Sequence, residues 1–155
     1  MKFDKKKLSI QILALLGLVL SVKLAMIYYN ANFNPYALPS FCSVDEFIDC
    51  DGIAKTTESQ FFGIPLAYWG MFLYFVMSIL LFADKLKNFK LFKFMEVFKN
   101  PLDYVASLGL VSFTISMVLL CVSLFEIKKL CVLCAFTYIL NLLIALIAID
   151  WKNGH

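Results

Sequence analysis

Four of the five cysteines in this chain fall into two pairs, Cys42 with Cys50 and Cys131 with Cys134. Paired thiols make and break disulfides. A thiolate attacks a disulfide sulfur and forms a mixed disulfide, so two pairs on one side of a membrane can hand a disulfide from one to the other. Cys42 and Cys50 lie in a long polar stretch between two apolar runs, and Cys131-Val132-Leu133-Cys134 is a C-x-x-C opening the last apolar run. The arrangement points to a redox relay.

The spacing constrains each pair. Ser43-Val44-Asp45-Glu46 reads as a capping box, with Val44, Phe47 and Ile48 on one helical face. A short amphipathic helix is therefore expected to start beside Cys42 and end near Cys50. Wholly helical, those cysteines would lie about 12 Å apart, whereas a disulfide needs Cα atoms within roughly 7 Å. Either the chain folds back at Asn34–Ser40 and around Cys42, or the pair is strained and labile. In the last run Cys131, Cys134, Tyr138 and Asn141 share one helical stripe. Polar and reactive groups in a span face the bundle interior, so the stripe should line a pocket with a redox-active top and a phenol on its wall. Cys131 stands at a helix start after Lys128 and Lys129, which favours thiolate, while Glu126 opposes it. Cys134 should lie roughly 5–7 Å below the helix start, within reach of a lipid-soluble acceptor.

The elements that position these residues are set by the solvent. The chain has 155 residues, 62% of them hydrophobic and only 16% charged, where a soluble domain is about half apolar. Runs at Leu8–Tyr29, Pro65–Ala83, Leu102–Phe125 and Cys131–Ile149 each approach the ~20 residues that cross a 30 Å hydrocarbon core. Backbone groups in lipid must be satisfied internally, so the runs are helices. The expected fold is all-α: one domain over residues 1–155, an integral membrane four-helix bundle whose outer loop, residues 30–64, carries short helices as a lid. The first run is too long for a signal-peptide core and no small-x-small site precedes Tyr28-Tyr29, so an uncleaved span is expected.

Lysine sets the orientation, since arginine is absent. Lys2, Lys5, Lys6 and Lys7 against Asp4 leave the N-terminus at +3. Lys85, Lys87, Lys90, Lys93 and Lys99 against Asp84 and Glu96 leave the second loop at +3. The cysteine loop holds Asp45, Glu46, Asp49, Asp51 and Glu58 against Lys55, a net −4. The positive-inside rule puts both termini in the cytoplasm and the paired cysteines outside, where disulfides persist.

Other residues carry less. Cys121, inside the third span, is expected to be a buried, small apolar residue. Phe61 and Phe62 suit a membrane interface, Gly63 a positive φ and Pro65 a first helical position. The Lys85–Lys99 segment, interleaved with Phe89, Phe92, Phe94 and Phe98, suggests a helix on anionic lipid rather than a nucleic-acid site. Two non-enzymatic readings compete: a scaffold with structural disulfides, and a Cys₄ zinc site. The seven-residue gap between Cys42 and Cys50 is wide for a zinc knuckle, and no metal ligand set is expected. The spans hold few charged groups, Lys23 near the outer surface and Asp103 at the inner end of the third, so a proton-coupled transporter is disfavoured.

Cys42-x7-Cys50, Phe62-Gly63-Ile64-Pro65 and Cys131-Val132-Leu133-Cys134-Ala135-Phe136-Thr137-Tyr138 together resemble the vitamin K epoxide reductase (VKOR) family, and the resemblance covers nearly the whole chain. The other quinone-linked disulfide generator, the DsbB type, carries its C-x-x-C in the first outer loop, the reverse of the order here. The resemblance implies that Cys42 meets a partner protein, that Cys50 exchanges with Cys131, and that Cys134 reduces a quinone. It implies Thr56 as the hydroxyl near the ring and Tyr138 as holder of a quinone carbonyl, with Phe62, Gly63, Pro65 and Ser78 as further quinone-binding residues. The asparagine with which vertebrate members bind vitamin K has Ile79 in its place, with Ser78 the nearest polar group. The implied role is therefore the bacterial one: oxidation of a DsbA-like thioredoxin-fold protein, supplied in trans in the periplasm, at the expense of ubiquinone or menaquinone. The implied location is the bacterial inner membrane.

Overall fold

The computed structural model describes residues 5–85 and 101–153. Helix α1 runs Lys5–Phe33. After an irregular stretch, α2 spans Cys50–Ala54, followed by a 3-10 turn at Thr57–Ser59. A two-stranded hairpin, β1 Gln60–Phe61 and β2 Ile64–Pro65, leads into α3, Leu66–Lys85. Helix α4, Pro101–Val122, continues as a π-helical turn through Ser123–Ile127, and α5 is Val132–Asn153. Three of the four long helices are long and apolar enough to cross a membrane: Lys5–Phe33, Asp103–Ile127 and Val132–Trp151. In α3 the apolar stretch, Leu66–Phe82, is shorter. The fold is the expected all-α membrane bundle with a small cap.

Helix α1 packs on α3 and α5, and α4 packs on α5 and more lightly on α3. Lipid tails are as apolar as leucine, so burial does not drive these helices together; close backbone approach does. Small residues stand at the crossings. A Cβ at Gly109 would press on the Ala145 backbone, and one at Gly70 would touch the Ser21 hydroxyl. A Cβ at Gly17 would collide with the Tyr74 ring, which is only 2% exposed. Ile10, Ala14, Tyr74, Met77, Val105, Ile144 and Ala148 form the core of the half remote from the cysteines. Outward faces are apolar too: Ile12, Leu16, Val19, Phe72, Val111, Ile115 and Leu146 are exposed, as a lipid solvent requires.

Several sequence expectations change. Residues 43–49 form turns rather than a capping-box helix, and the short helix begins where that one was to end, at Cys50. Asp49 is its cap, accepting from the Gly52 N–H at 2.8 Å. Pro65 belongs to the hairpin, and α3 starts one residue later at Leu66. Cys121 faces outward on the bundle surface instead of inward. The lysine-rich segment read as an interfacial helix lies, from residue 86 on, outside the described residues. At the hairpin tip Phe62 and Gly63 have φ of 54° and 73°; a two-residue turn that follows strand twist needs positive φ at both positions.

Gly17→Ala tests the packing at the α1–α3 crossing. Alanine gains up to ~1 kcal/mol of helix propensity, but overpacking costs about 1–3 kcal/mol. The variant should lose about 1–2 kcal/mol of stability by these magnitudes, read as a lowered unfolding midpoint in detergent. A midpoint at or above wild type would mean that Tyr74 yields.

Candidate functional site

The site begins with two backbone hydrogen bonds. The Leu130 N–H donates to the Phe47 carbonyl at 2.7 Å, and the Asp49 N–H donates to the Leu130 carbonyl at 3.3 Å. They make a parallel bridge between Ile48 and Leu130. Cys50 follows one strand of this bridge and Cys131 follows the other, so the bridge sets the two cysteine segments side by side. Cys42, Cys50, Cys131, Leu133 and Ile27 form a single buried cluster against which Cys134 packs.

Each pair is a disulfide, with Cα separations of 5.7 Å for Cys42–Cys50 and 5.2 Å for Cys131–Cys134. The first separation is short because residues 43–49 turn back on themselves: the Val44 and Asp45 N–H groups both donate to the Ile48 carbonyl. The chain thus folds back around Cys42 and through residues 43–49, one of the two alternatives left open by the spacing. The Cys134 N–H donates to Cys131 Sγ at 3.2 Å, a bond that strengthens if the sulfur becomes anionic.

A web of side chains braces the loop. Asp51 accepts from the Ser40 N–H at 2.7 Å and from the Ser43 hydroxyl at 3.0 Å, and Ser43 also reaches Asp49 at 2.9 Å. Asp49 forms an ion pair with Lys129 across the bridge. Burial pushes the Asp49 carboxyl up, but hydrogen bonds from Lys129, the Gly52 N–H and Ser43, together with the Lys129 charge, outweigh it and hold the group below its usual 3.8. A Cβ at Gly52 would run into both Asp49 and Lys129. The Ser123 hydroxyl donates to the Lys129 carbonyl, fixing the turn that delivers Lys129 after left-handed Lys128, φ 56°. On the α1 side, Asn32 donates to the Ala54 carbonyl at 3.0 Å and Gln60 to the Tyr28 hydroxyl at 2.6 Å.

Beneath the cap, between the four long helices, lies a cavity of about 240 Å³. Its wall is mainly apolar, with Leu24, Ile27, Leu73 and Leu119, and it includes Cys50, Cys131 and Cys134. Tyr138 and Pro65 also line it, as the sequence suggested. Thr56, Phe62, Gly63 and Ser78 are not part of the wall, nor is Cys42. The Thr56 hydroxyl donates to the Ile53 carbonyl at 2.7 Å and so closes α2. Phe62, 85% exposed, and Gly63 form the outward hairpin tip. Ser78 sits in α3, its hydroxyl buried with no hydrogen-bond partner among the described residues.

Instead α3 presents Tyr74 to the cavity. Its hydroxyl donates to Asn141 Oδ1 at 2.7 Å, and Asn141 Nδ2 donates to the Ser116 hydroxyl at 3.1 Å. This buried chain joins α3, α5 and α4 below the cysteines. The helical stripe pointed to Asn141. Nothing local marked Tyr74 or Ser116, whose partners lie 67 and 25 residues away.

Comparison with protein-family models matches residues 8–149 to the vitamin K epoxide reductase family. No curated protein matches the chain.

The depressed Asp49 pKa carries a sign. A carboxyl that ionises more readily when folded adds stability above its unfolded pKa, and loses it as pH falls through the folded value. Asp49→Asn keeps a capping side chain but gives up the charge. At neutral pH wild type should exceed it by about 1–2 kcal/mol, since hydrogen bonds to a charged group are worth ~1.5–3 and this pair is partly exposed. That gap should narrow once pH drops below 3.8. A gap independent of pH down to pH ~2 would contradict the assignment.

Proposed function

The chain belongs to the vitamin K epoxide reductase family, and we propose that it is a quinone-dependent thiol oxidase that regenerates the disulfide of a periplasmic, DsbA-like thioredoxin-fold protein. Membership makes it a membrane oxidoreductase; the partner, the acceptor and the direction are the proposal. The observation that carries it is that Cys50, Cys131 and Cys134 share the wall of one apolar cavity.

Electrons are relayed through four thiols. A thiolate of the reduced partner attacks Cys42 Sγ, forming a mixed disulfide and breaking Cys42–Cys50, which leaves Cys50 as thiolate. Cys50 attacks Cys131 Sγ and displaces Cys134 as thiolate. The partner's second thiol resolves the mixed disulfide, leaving with its own disulfide and freeing Cys42. Cys42 then attacks Cys50, restoring the first pair and releasing Cys131. The Cys131–Cys134 dithiol gives up two electrons and two protons and closes again as a disulfide. The N–H of Cys134 aimed at Cys131 Sγ favours Cys131 as thiolate, the form in which it leaves when Cys42 restores the first pair.

The cavity fits a quinone by its chemistry: apolar walls for the ring and prenyl chain, and hydroxyl and amide groups on Tyr138 and Asn141 for the carbonyl oxygens. Ubiquinone or menaquinone held there would accept the electron pair and the protons. Tyr138, one turn below Cys134, would orient a carbonyl and stabilise charge developing on it. A DsbA-type partner near −120 mV is a strong oxidant, so only a more oxidising acceptor can recharge it. Charge asymmetry supports an orientation with cytoplasmic termini and the cysteine cap at the periplasmic face of a bacterial inner membrane.

Cys42 is 4% exposed, so the partner reaches it only when the Ser40–Val44 segment moves. That movement breaks the Ser40 and Ser43 hydrogen bonds to Asp51.

Purified protein in detergent, supplied with quinone and a reduced DsbA-like protein, tests the proposal. Wild type should turn over, and Cys42→Ser and Cys134→Ser should both fall to background. Cys42→Ser should still accept electrons from a small dithiol, which can reach the second pair without the loop. Undiminished turnover in Cys134→Ser, or none in wild type with either quinone, would overturn the assignment.

A further inference from the structure

The Asp49–Lys129 ion pair is absent from the relay just described, yet it stands beside the bridge where the two cysteine segments meet. Asp49 immediately precedes Cys50, and Lys129 lies two residues before Cys131. The pair bridges 80 positions of sequence and stands at the junction of the cysteine loop and the α4–α5 turn. Each partner is fixed from behind. Asp49 is held by the Gly52 N–H and Ser43, and the Lys129 carbonyl is held by Ser123. Gly52 leaves room for the contact, because any side chain at that position would strike both groups.

The backbone bridge beside it consists of only two hydrogen bonds, at Leu130. Two bonds at an edge open readily, and all of residues 34–49 lie outside regular helix. A charge-assisted contact that also closes the junction biases it toward the paired state. Position matters for disulfide exchange because the attacking and attacked sulfurs must be held in line; an ångström of misplacement can cost about a hundredfold in rate.

We propose that Asp49 and Lys129 are positioning residues that act as an electrostatic latch, holding Cys50 against Cys131 so that the two disulfides exchange within the molecule. The inference builds on the reading of this protein as a thiol relay, but its chemistry concerns only the internal step: Cys50 thiolate bonds to Cys131, the Cys131–Cys134 bond breaks, and Cys134 leaves as thiolate. With the latch broken each pair remains chemically competent, and coupling between the pairs is what falls.

The coupling can be read without quinone or partner. In a Cys42→Ala, Cys134→Ala background the remaining pair, Cys50 and Cys131, forms a disulfide under mild oxidation in proportion to the time it spends in register. Mobility or mass after alkylation gives the rate of formation. Lys129→Met and Asp49→Asn should slow it by about fivefold to tenfold, the loss expected for one partly exposed, charge-assisted contact. Lys129→Arg, which keeps the charge, should recover most of the rate. A brace acting only by shape would be served almost as well by methionine, whose stem resembles that of lysine, as by arginine. Circular dichroism and the unfolding midpoint separate loss of the latch from loss of the fold.

In the enzyme with all its cysteines, Lys129→Met should lower partner-driven quinone reduction by a similar factor and small-dithiol-driven reduction by much less. Trapping rates equal to the parent in Lys129→Met and Asp49→Asn, or no recovery with arginine, would overturn the latch. A wild type inactive toward every quinone would refute the oxidase reading, and the trapping rates would still decide the latch on their own.

Discussion

The pairing of Phe47–Asp49 with Leu130 is the contact on which this architecture depends. The two cysteine-bearing segments are separated by the long helices α3 and α4 and 80 positions of chain, and loop closure over such a length carries an entropic cost that grows only slowly with length. The larger cost is in orientation, since sulfur chemistry needs near-contact geometry. A parallel bridge solves it with few residues. It aligns the strands that lead into Cys50 and Cys131, and the helices α2 and α5 then start from the same edge. The cap webbing at Asp51 and the contacts of α1 with Ala54 and Gln60 keep that edge over the bundle mouth.

The membrane dictates the rest. Because apolar surface is not hidden by helix association in lipid, the bundle relies on close approach at Gly17, Gly70 and Gly109, and on a few buried polar contacts. The Tyr74–Asn141–Ser116 chain is of that kind, and it places the polar groups of three helices around one apolar space. A polar cluster in lipid must be satisfied internally, which is why Tyr74 and Asn141 bond to one another; their position on the cavity wall leaves one Asn141 amide hydrogen free of these bonds. The same solvent explains Cys121: at the bundle surface a thiol is a small apolar group facing lipid, and it needs no partner.

How far the sequence could be read follows from the range of each interaction. The spans were legible because hydropathy is a property of a segment, and the cysteine pairs because thiol chemistry is written in residue type. Caps were not. Ser43 and Asp49 are both competent N-caps; locally Ser43 looked better, with Glu46 three residues on. The structure favours Asp49 because Lys129, distant in sequence, joins Gly52 in satisfying it, while Ser43 is recruited by Asp49 and Asp51. Tertiary context overrode a valid local signal. Thr56 and Ser78 lie off the cavity wall for a related reason. A hydroxyl on the correct segment reveals nothing about direction, and Thr56 turns back onto its own helix. Tyr138 and Pro65 line the cavity because each has a neighbour that fixes its facing: the C-x-x-C stripe for one, the entry to α3 for the other.

Burial of the reactive sulfurs bears on how the relay would be gated. Cys42, Cys50 and Cys131 are 4%, 2% and 4% exposed, so the thiol of a folded protein cannot reach them until the cap moves. A disulfide enclosed by an apolar core would need that core to open, at several kcal/mol for each large side chain exposed. Here the outer wall is different. Phe41 and Val44 already project into solvent, at 74% and 70% exposure, and apart from the Cys42–Cys50 disulfide that the partner itself would open, the segment is held by hydrogen bonds of Ser40 and Ser43 to Asp51 and Asp49. Each such bond is worth about 0.5–1.5 kcal/mol net, somewhat more to a charged group. Opening that wall costs a sum a docking protein can supply from a modest interface, particularly one that covers the projecting Phe41. Water cannot supply it, because exposing the apolar cluster to solvent returns nothing. A hydrogen-bonded flap over an apolar redox cluster therefore discriminates by what arrives rather than by whether anything does, and Asp51 contributes to that selectivity through its hold on Ser40 and Ser43.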